Sequence, residues 1–448
     1  MVYETNAKAR KPVKTQDIIK TQIIMTRETD LLLHILRDNL QGKKTDGVSA
    51  DGVNWSELSR LAHSHQLSQI VYYQCKDFMP SEIKKAFRQE YLIALAAYEK
   101  RDQFLAQFDK ALGEAGIKHI VVKGPTIAAF YPQPPLRSMG DIDFIVSPPS
   151  DDDAARLAAE KILLSQGWIA GDKETCDEWH YEREGIELEL HDELVYKANP
   201  IYKDELYRSF YNDFWQSEQY AQYKDEFTFL VAFRHLRKHF VSSGVGFRHF
   251  YDLAVIAAAS NKAQTAPDAQ ATPDAQTAAE AQATPDAQLD WTFIEEKLTA
   301  FGFAGFAGTI FALCEKWFGV EFPILKKEMI DEFALRATDF IASNGVFGFE
   351  NKSNYDLHET NAILAKEDHT AAKTKSALSK FFPGYEQLRK KYKFIDGRPY
   401  LLPVGWIVRA VSGVSKGKTG DAINAAKKEL VPKEKIEARE KLYNDWKL

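Results

Sequence analysis

Two short segments of this 448-residue chain carry acidic residues at a spacing that can do chemistry. One reads Asp141-Ile142-Asp143-Phe144-Ile145-Val146, the other Ile186-Glu187-Leu188-Glu189-Leu190-His191. Polar and apolar residues alternate in both, the period of an extended strand with one buried face. Asp141 and Asp143 then share a face, with Cα atoms ~6.6–6.8 Å apart. Carboxylates so placed can converge on one cation or bracket two ions ~3.5–4 Å apart, as phosphoryl-transfer sites require. Glu187, Glu189 and His191 share a face of the second strand for the same reason. If the two strands pair, three or four acidic groups crowd one patch. Such crowding is costly without a cation, and oxygen ligands favour magnesium.

The flanking residues supply the elements that would position these groups. An apolar run, Ile120-Val121-Val122, ends on Lys123-Gly124, and Pro125 suits the first position of a helix that must stop before Pro132. Backbone donors at that helix start could face a triphosphate. Taken alone, Lys-Gly-Pro is equally a plain strand-to-helix turn. Ser150 with Asp151, Asp152 and Asp153 reads as the cap and first turn of the next helix, which Gly167 ends. Upstream, Thr26 to Gly113 is patterned for helices, the longest over Ile83 to Leu112. His63 and His65 lie two apart and do not share a helix face, so they read as capping or surface residues. From Phe227 onward, Phe229, Leu230, Phe233, Leu236 and Phe240 fall at helical core spacing, with Arg234, His235, Arg237, Lys238 and His239 between them. His235 and His239 do share a face, which is zinc-like spacing. With no Glu after the first His and no third ligand nearby in sequence, a basic helix facing the acidic patch, or a solvated charged face, is the better reading.

In order and residue type the stretch from Lys123 to His191 resembles the DNA polymerase β-like nucleotidyltransferase superfamily. Within it, the run Lys-Gly, then Leu136-Arg137-Ser138-Met139-Gly140-Asp141-Ile142-Asp143, then Glu189-Leu190-His191 is similar to a bacterial nucleotidyltransferase family. Gly246-Phe247-Arg248, Asp252 and the tail residues Phe381-Phe382-Pro383 and Tyr400 to Arg409 extend the likeness over most of the chain. The resemblance implies an α+β fold, a small mixed sheet with helices, flanked by N-terminal and C-terminal helical regions. It implies Asp141, Asp143 and Glu189 as catalytic metal ligands, with Mg2+ or Mn2+ as cofactor. Lys123, Gly124, Thr126, Arg137 and Ser138 would bind the nucleotide, and Glu187 and His191 stand on the acceptor side. The wider superfamily usually has a serine after the glycine. Pro125 and Thr126 stand here instead, which shifts phosphate binding toward Lys123 and backbone N–H groups. The implied reaction moves a nucleoside monophosphate from an NTP, ATP among them, to an unknown acceptor, with a small molecule favoured over protein or RNA. A non-catalytic nucleotide- or partner-binding regulator of the same fold is the alternative, and the intact carboxylates argue against it.

Composition sets the frame around this core. Apolar residues at 45% with 12% aromatics support real hydrophobic cores, and a net charge of −6 gives no general nucleic-acid signal. Cys75, Cys176 and Cys314 lie far apart without a Cys-x-x-Cys pair, which fits a reducing, cytoplasmic setting. No run approaches the ~20 apolar residues of a membrane span. The expected organisation is an N-terminal tail over 1–25, a helical region over 26–112 and the nucleotidyltransferase core over 113–215. A helical domain follows over 216–330, then a mostly helical extension over 331–448. Four tandem hexamers, TAPDAQ, ATPDAQ, TAAEAQ and ATPDAQ, interrupt the helical domain. With nothing apolar larger than alanine and recurrent proline, 261–288 is predicted to be a flexible insertion. Gly413 to Thr419 imitates a P-loop but has three residues, not four, between its first glycine and Gly-Lys-Thr.

Overall fold

The computed structural model describes residues 25–45, 52–146, 154–171, 178–195, 204–242, 244–265, 288–346, 384–385, 388–389, 392–415 and 433–448. Ser150 to Asp153, Cys176, nearly all of the hexamer repeat and Lys416 to Thr419 lie outside them.

The three expected strands form, and two more appear beside them. These are β1 (His119–Val122), β2 (Asp141–Val146), β3 (Ile169–Ala170), β4 (Glu178–Arg183) and β5 (Ile186–His191). They build one mixed sheet in the order β1-β2-β5-β4-β3. β2 and β5 run parallel, and the other neighbours run antiparallel. The fold is therefore α+β. One face of the sheet, Ile142, Phe144, Val146, Leu188 and Leu190, is sealed by Phe104, Phe108 and Leu112 of α4 (Ser81–Glu114) and by Ala159 and Leu163 of α6 (Ala154–Ser165). Because side chains alternate, Asp141 and Asp143 must emerge on the opposite face, beside Ile145. Ile145 belongs to a second, larger core built by the helical body.

That body comprises α1 (Arg27–Leu40), α2 (Trp55–Ser64) and α3 (Ser68–Cys75) before the sheet. After it come α7 (Glu205–Asp213), α8 (Lys224–Ser242), α9 (Phe247–Thr265), α10 (Trp291–Ala300), α11 (Ala304–Phe318) and α12 (Asp331–Ala342). Caps fix several starts: Thr26, Asp204 and Asp290 side chains accept backbone N–H bonds at the first turns of α1, α7 and α10. Gly319, at φ 69°, ends α11 in the left-handed conformation that glycine takes without a Cβ clash. Two further helices, Leu402–Ser415 and Lys433–Asp445, lie in the C-terminal region. No helix among the described residues is long and apolar enough to cross a membrane.

Two local expectations change, while the helix after Gly124, α5 (Gly124–Ala128), ends before Pro132 as expected. α9 continues to Thr265, four residues past the start of the expected insertion at 261, with the Asn261 side chain donating to the Glu321 carbonyl at 2.9 Å and Lys262 to that of Leu40 at 3.3 Å. Beyond the repeat, the Leu289 N–H donates to Ser260 Oγ at 3.1 Å, so the chain returns to the place it left. His65 is fully buried rather than a surface residue, and its Nδ1 accepts the Phe247 N–H at 3.2 Å. It caps α9, a helix remote from it in sequence.

Candidate active site

The parallel pairing of β2 with β5 sets Asp141 against Glu187 and Asp143 against Glu189. Exposure falls along this double row: Glu187 is exposed, Asp141 and Glu189 are partly covered, and Asp143 is fully buried. The row is thus a slot with a rim and a floor. At the floor, Asp143 Oδ1 accepts hydrogen bonds from Lys123 Nζ and from His191 Nε2, the latter at 3.1 Å. The same His191 nitrogen lies 3.3 Å from Glu189 Oε2, while His180 Nδ1 of β4 is 3.3 Å from Glu189 Oε1. Asp143 Oδ2 is buried and finds no hydrogen-bond partner among the described residues.

These contacts drive the carboxyls apart in acidity. Burial would raise Asp143, but the Lys123 charge and the His191 hydrogen bond overrule it and hold the group well below the usual carboxylate range. Burial and the His191 hydrogen bond compete in the same way at Glu189, with a net lowering. Among the described residues no side chain donates such a hydrogen bond to Asp141. Burial, with the charges of Asp143 and Glu189, pushes it up to about 6. His191 is raised: burial disfavours its charge, yet hydrogen bonds to Asp143 and Glu189 more than compensate. Lys123 is also raised, since the Asp143 carboxylate beside it outweighs burial.

Backbone strain accompanies the lysine. Lys123 sits at φ 59°, ψ −110°, a conformation rare for a residue with a Cβ and worth about 1–3 kcal/mol of strain. It turns the chain sharply from β1 into α5 and carries the ammonium over Asp143. The next residue is closely packed: a Cβ on Gly124 would stand 3.3 Å from Met139 Sδ, which would have to give by a few tenths of an ångström, and 3.4 Å from the Asp141 carbonyl. Thr126 Oγ1 donates to the Lys123 carbonyl at 3.1 Å and steadies the turn.

Arg137 and Ser138, read from the sequence as nucleotide contacts, are engaged elsewhere. The Arg137 guanidinium is buried and grips Asp252 of α9 with both Nε and Nη2 at 2.9 Å, while Nη1 reaches the Gly124 carbonyl at 3.3 Å. Tyr131 OH donates to the same Asp252 at 2.7 Å. Ser138 Oγ donates to Gln69 at 2.8 Å, and its carbonyl accepts from Arg248. Both residues hold the approach to β2 against the helical body. Two cations of α8 are likewise engaged in packing: Arg234 donates to the Leu194 carbonyl, and Arg237 lies 4.2 Å from the centre of the Phe303 ring.

Two further residues stand beside the slot without a local sequence signal. Arg101 of α4 donates to the Met139 and Gly140 carbonyls at 2.8 and 3.2 Å and feels the charges of Asp141 and Glu187. His180 enters only because β4 pairs with β5 and sets it opposite Glu189. The alternation Trp179-His180-Tyr181 hints at a strand, but nothing local names its neighbour.

Residues 51–273 match the model of a family described as "Uncharacterised nucleotidyltransferase". The matched stretch, just under half of the chain, is similar to that family. It contains the sheet, the acidic slot, Lys123 and the helix that carries Asp252. Comparisons with curated proteins and with solved structures each found no match. The chemistry of the slot therefore rests on its own geometry. Asp143, Glu189 and His191 offer ligand atoms within 4.8 Å of one another. The uncapped Asp143 oxygen and the repelling Asp141 carboxyl are what a cation would satisfy, so the donor set fits a divalent metal.

Proposed function

We propose that the chain is a metal-dependent enzyme that transfers a nucleoside monophosphate from an NTP to an unidentified acceptor, a small molecule before a protein or RNA. The observation that carries this is the register of β2 and β5, which stacks Asp141, Glu187, Asp143 and Glu189 in one slot beneath a strained lysine. A fold built for stability alone gains nothing from such repulsion.

Asp141, Asp143 and Glu189 would hold magnesium or manganese, which when bound neutralises triphosphate charge and polarises the reacting phosphorus. His191 is the positioning residue, since one ring nitrogen reaches both Asp143 and Glu189. It leaves Asp143 Oδ2 to face a ligand. Lys123 stands in as the cation while the slot holds no nucleotide, and exchanges Asp143 for phosphate oxygens when the triphosphate enters. Glu187, exposed at the rim, is placed to meet the acceptor. Arg137 serves by fixing Gly124 rather than by touching phosphate.

Incubation of the purified chain with each α-labelled NTP, divalent metal and fractionated cell extract tests this. Label should pass to a product with wild type and not with Asp143→Asn. Equal labelling by both proteins, or none with any NTP and extract, refutes the proposal.

A further inference from the structure

A second cluster of titratable groups lies outside the acidic slot, at the joint of α8 and α9. His235 and His239 sit one turn apart on α8, and His249 stands in the first turn of α9. Their ring centroids are 4.5, 4.8 and 5.3 Å apart, and one nitrogen from each ring lies within 4.8 Å of the others. The third ligand, absent from the local sequence, is brought in by the helix turn. His235 Nδ1 and His249 Nε2 are buried with no hydrogen-bond partner among the described residues. A buried ring nitrogen left without a partner destabilises the fold, and two such nitrogens meet at one point here.

We infer that His235, His239 and His249 bind one transition-metal ion of the zinc class, separate from the metal site proposed in the slot. Ligand chemistry decides the class. Three imidazoles with no carboxylate suit zinc and its neighbours, whereas magnesium and calcium require oxygen. Two ligands from one helix turn, a third from the next helix and an open fourth position form a recurrent zinc arrangement. Tetrahedral Zn–N bonds of ~2.0–2.1 Å place ligand nitrogens ~3.3 Å apart, so small ring rotations must draw the three inward.

Two features could oppose binding. Lys123 and Arg248 are close enough to act on His235 electrostatically, and they repel a dication. Burial first, then the neighbouring imidazoles and these cations, hold His235 well below its ordinary value, and burial, His239 and Arg248 do the same to His249. The effect removes the competing proton, leaving neutral rings with lone pairs available. The other feature is the Gly246 N–H, which approaches His249 Nδ1 at 3.4 Å. That length is at the outer limit of a hydrogen bond and does not lock the proton onto Nε2.

The ion would act as a clip. α9 carries Arg248, which donates to the Ser138 carbonyl at 2.8 Å, and Asp252, which grips Arg137. Fixing the start of α9 to α8 therefore braces the segment that delivers Asp141 and Asp143.

The test is metal content and cobalt spectroscopy on the full chain. After equilibration with zinc in excess magnesium and removal of loose metal, wild type should retain one zinc per chain. His249→Gln and His239→Gln should each weaken zinc binding at least about tenfold. Asp143→Asn should retain the zinc, which separates this cluster from the slot and keeps its fate independent of the proposed reaction. If the histidine variants do not fold, cobalt-loaded wild type decides alone, since an intense visible band marks a nitrogen-ligated site of low coordination number. No retained zinc, a weak octahedral cobalt spectrum, undiminished zinc in His249→Gln, or loss of zinc in Asp143→Asn would each overturn the inference.

Discussion

Neutralising Asp141 should stabilise the metal-free protein, and the gain should depend on pH in a set direction. Asp141 has an ordinary value of 3.8 and is pushed up to about 6 by burial and by the charges of Asp143 and Glu189. Because the folded-state value lies above the unfolded one, the group's contribution is fully present below about 3.8 and is lost as pH rises through about 6. The shift from 3.8 to about 6 corresponds to a penalty on the order of 3 kcal/mol once the group is ionised. Asn keeps the size and removes the charge. Asp141→Asn should therefore match wild type near pH 4 and exceed it by about 1–3 kcal/mol near pH 8, the lower figure allowing for relaxation of the coupled carboxylates. Thermal unfolding with a chelator present, followed across that range, measures the difference. Adding magnesium and NTP at a hundredfold excess over Kd should then stabilise wild type by ~2.7 kcal/mol and the variant by much less. A variant less stable than wild type near pH 8, or a difference that ignores pH, would refute the claim that like charges load this slot.

Lys123→Met removes the main partner of a fully buried carboxylate, so it should cost about 3–5 kcal/mol as well as weaken NTP binding; undiminished stability by denaturation would dissolve the Lys123–Asp143 pair. His191, raised above its ordinary 6.5, contributes stability that is complete below that value and is lost as pH climbs through its folded-state value. His191→Gln should thus be most damaging near pH 6 and converge on wild type in alkali, which a pH series of melting curves reads directly. Arg137→Met and Asp252→Leu should each cost about 3–5 kcal/mol, and the double variant clearly less than their sum; strict additivity in the cycle would show that the bidentate pair carries no coupling.

Local sequence was enough to fix the strands that carry the acidic groups and which way their side chains point. Alternation over Asp141 to Val146 and Ile186 to His191 is a local property of an extended chain. The shared faces of Asp141 with Asp143, and of Glu187, Glu189 and His191, therefore followed without a structure. The turn at Lys123-Gly124 and the helices on either side were legible for the same reason, since glycine, proline and apolar periodicity act over a few residues.

Pairing was not legible. That β2 lies parallel to β5, that β4 closes the other side with His180, and that Asp143 is the floor while Glu187 is the rim depend on contacts across the sheet. The fate of a charge was equally hidden. Arg137 and Lys123 are both cations near a glycine, yet one is committed to Asp252 on a distant helix and the other to Asp143. His235 and His239 looked like an incomplete ligand pair because their third partner, His249, joins them through the turn between α8 and α9. Spacing fixes which face a side chain occupies; what waits opposite that face is decided by tertiary packing, because burial selects partners by space and charge rather than by distance along the chain.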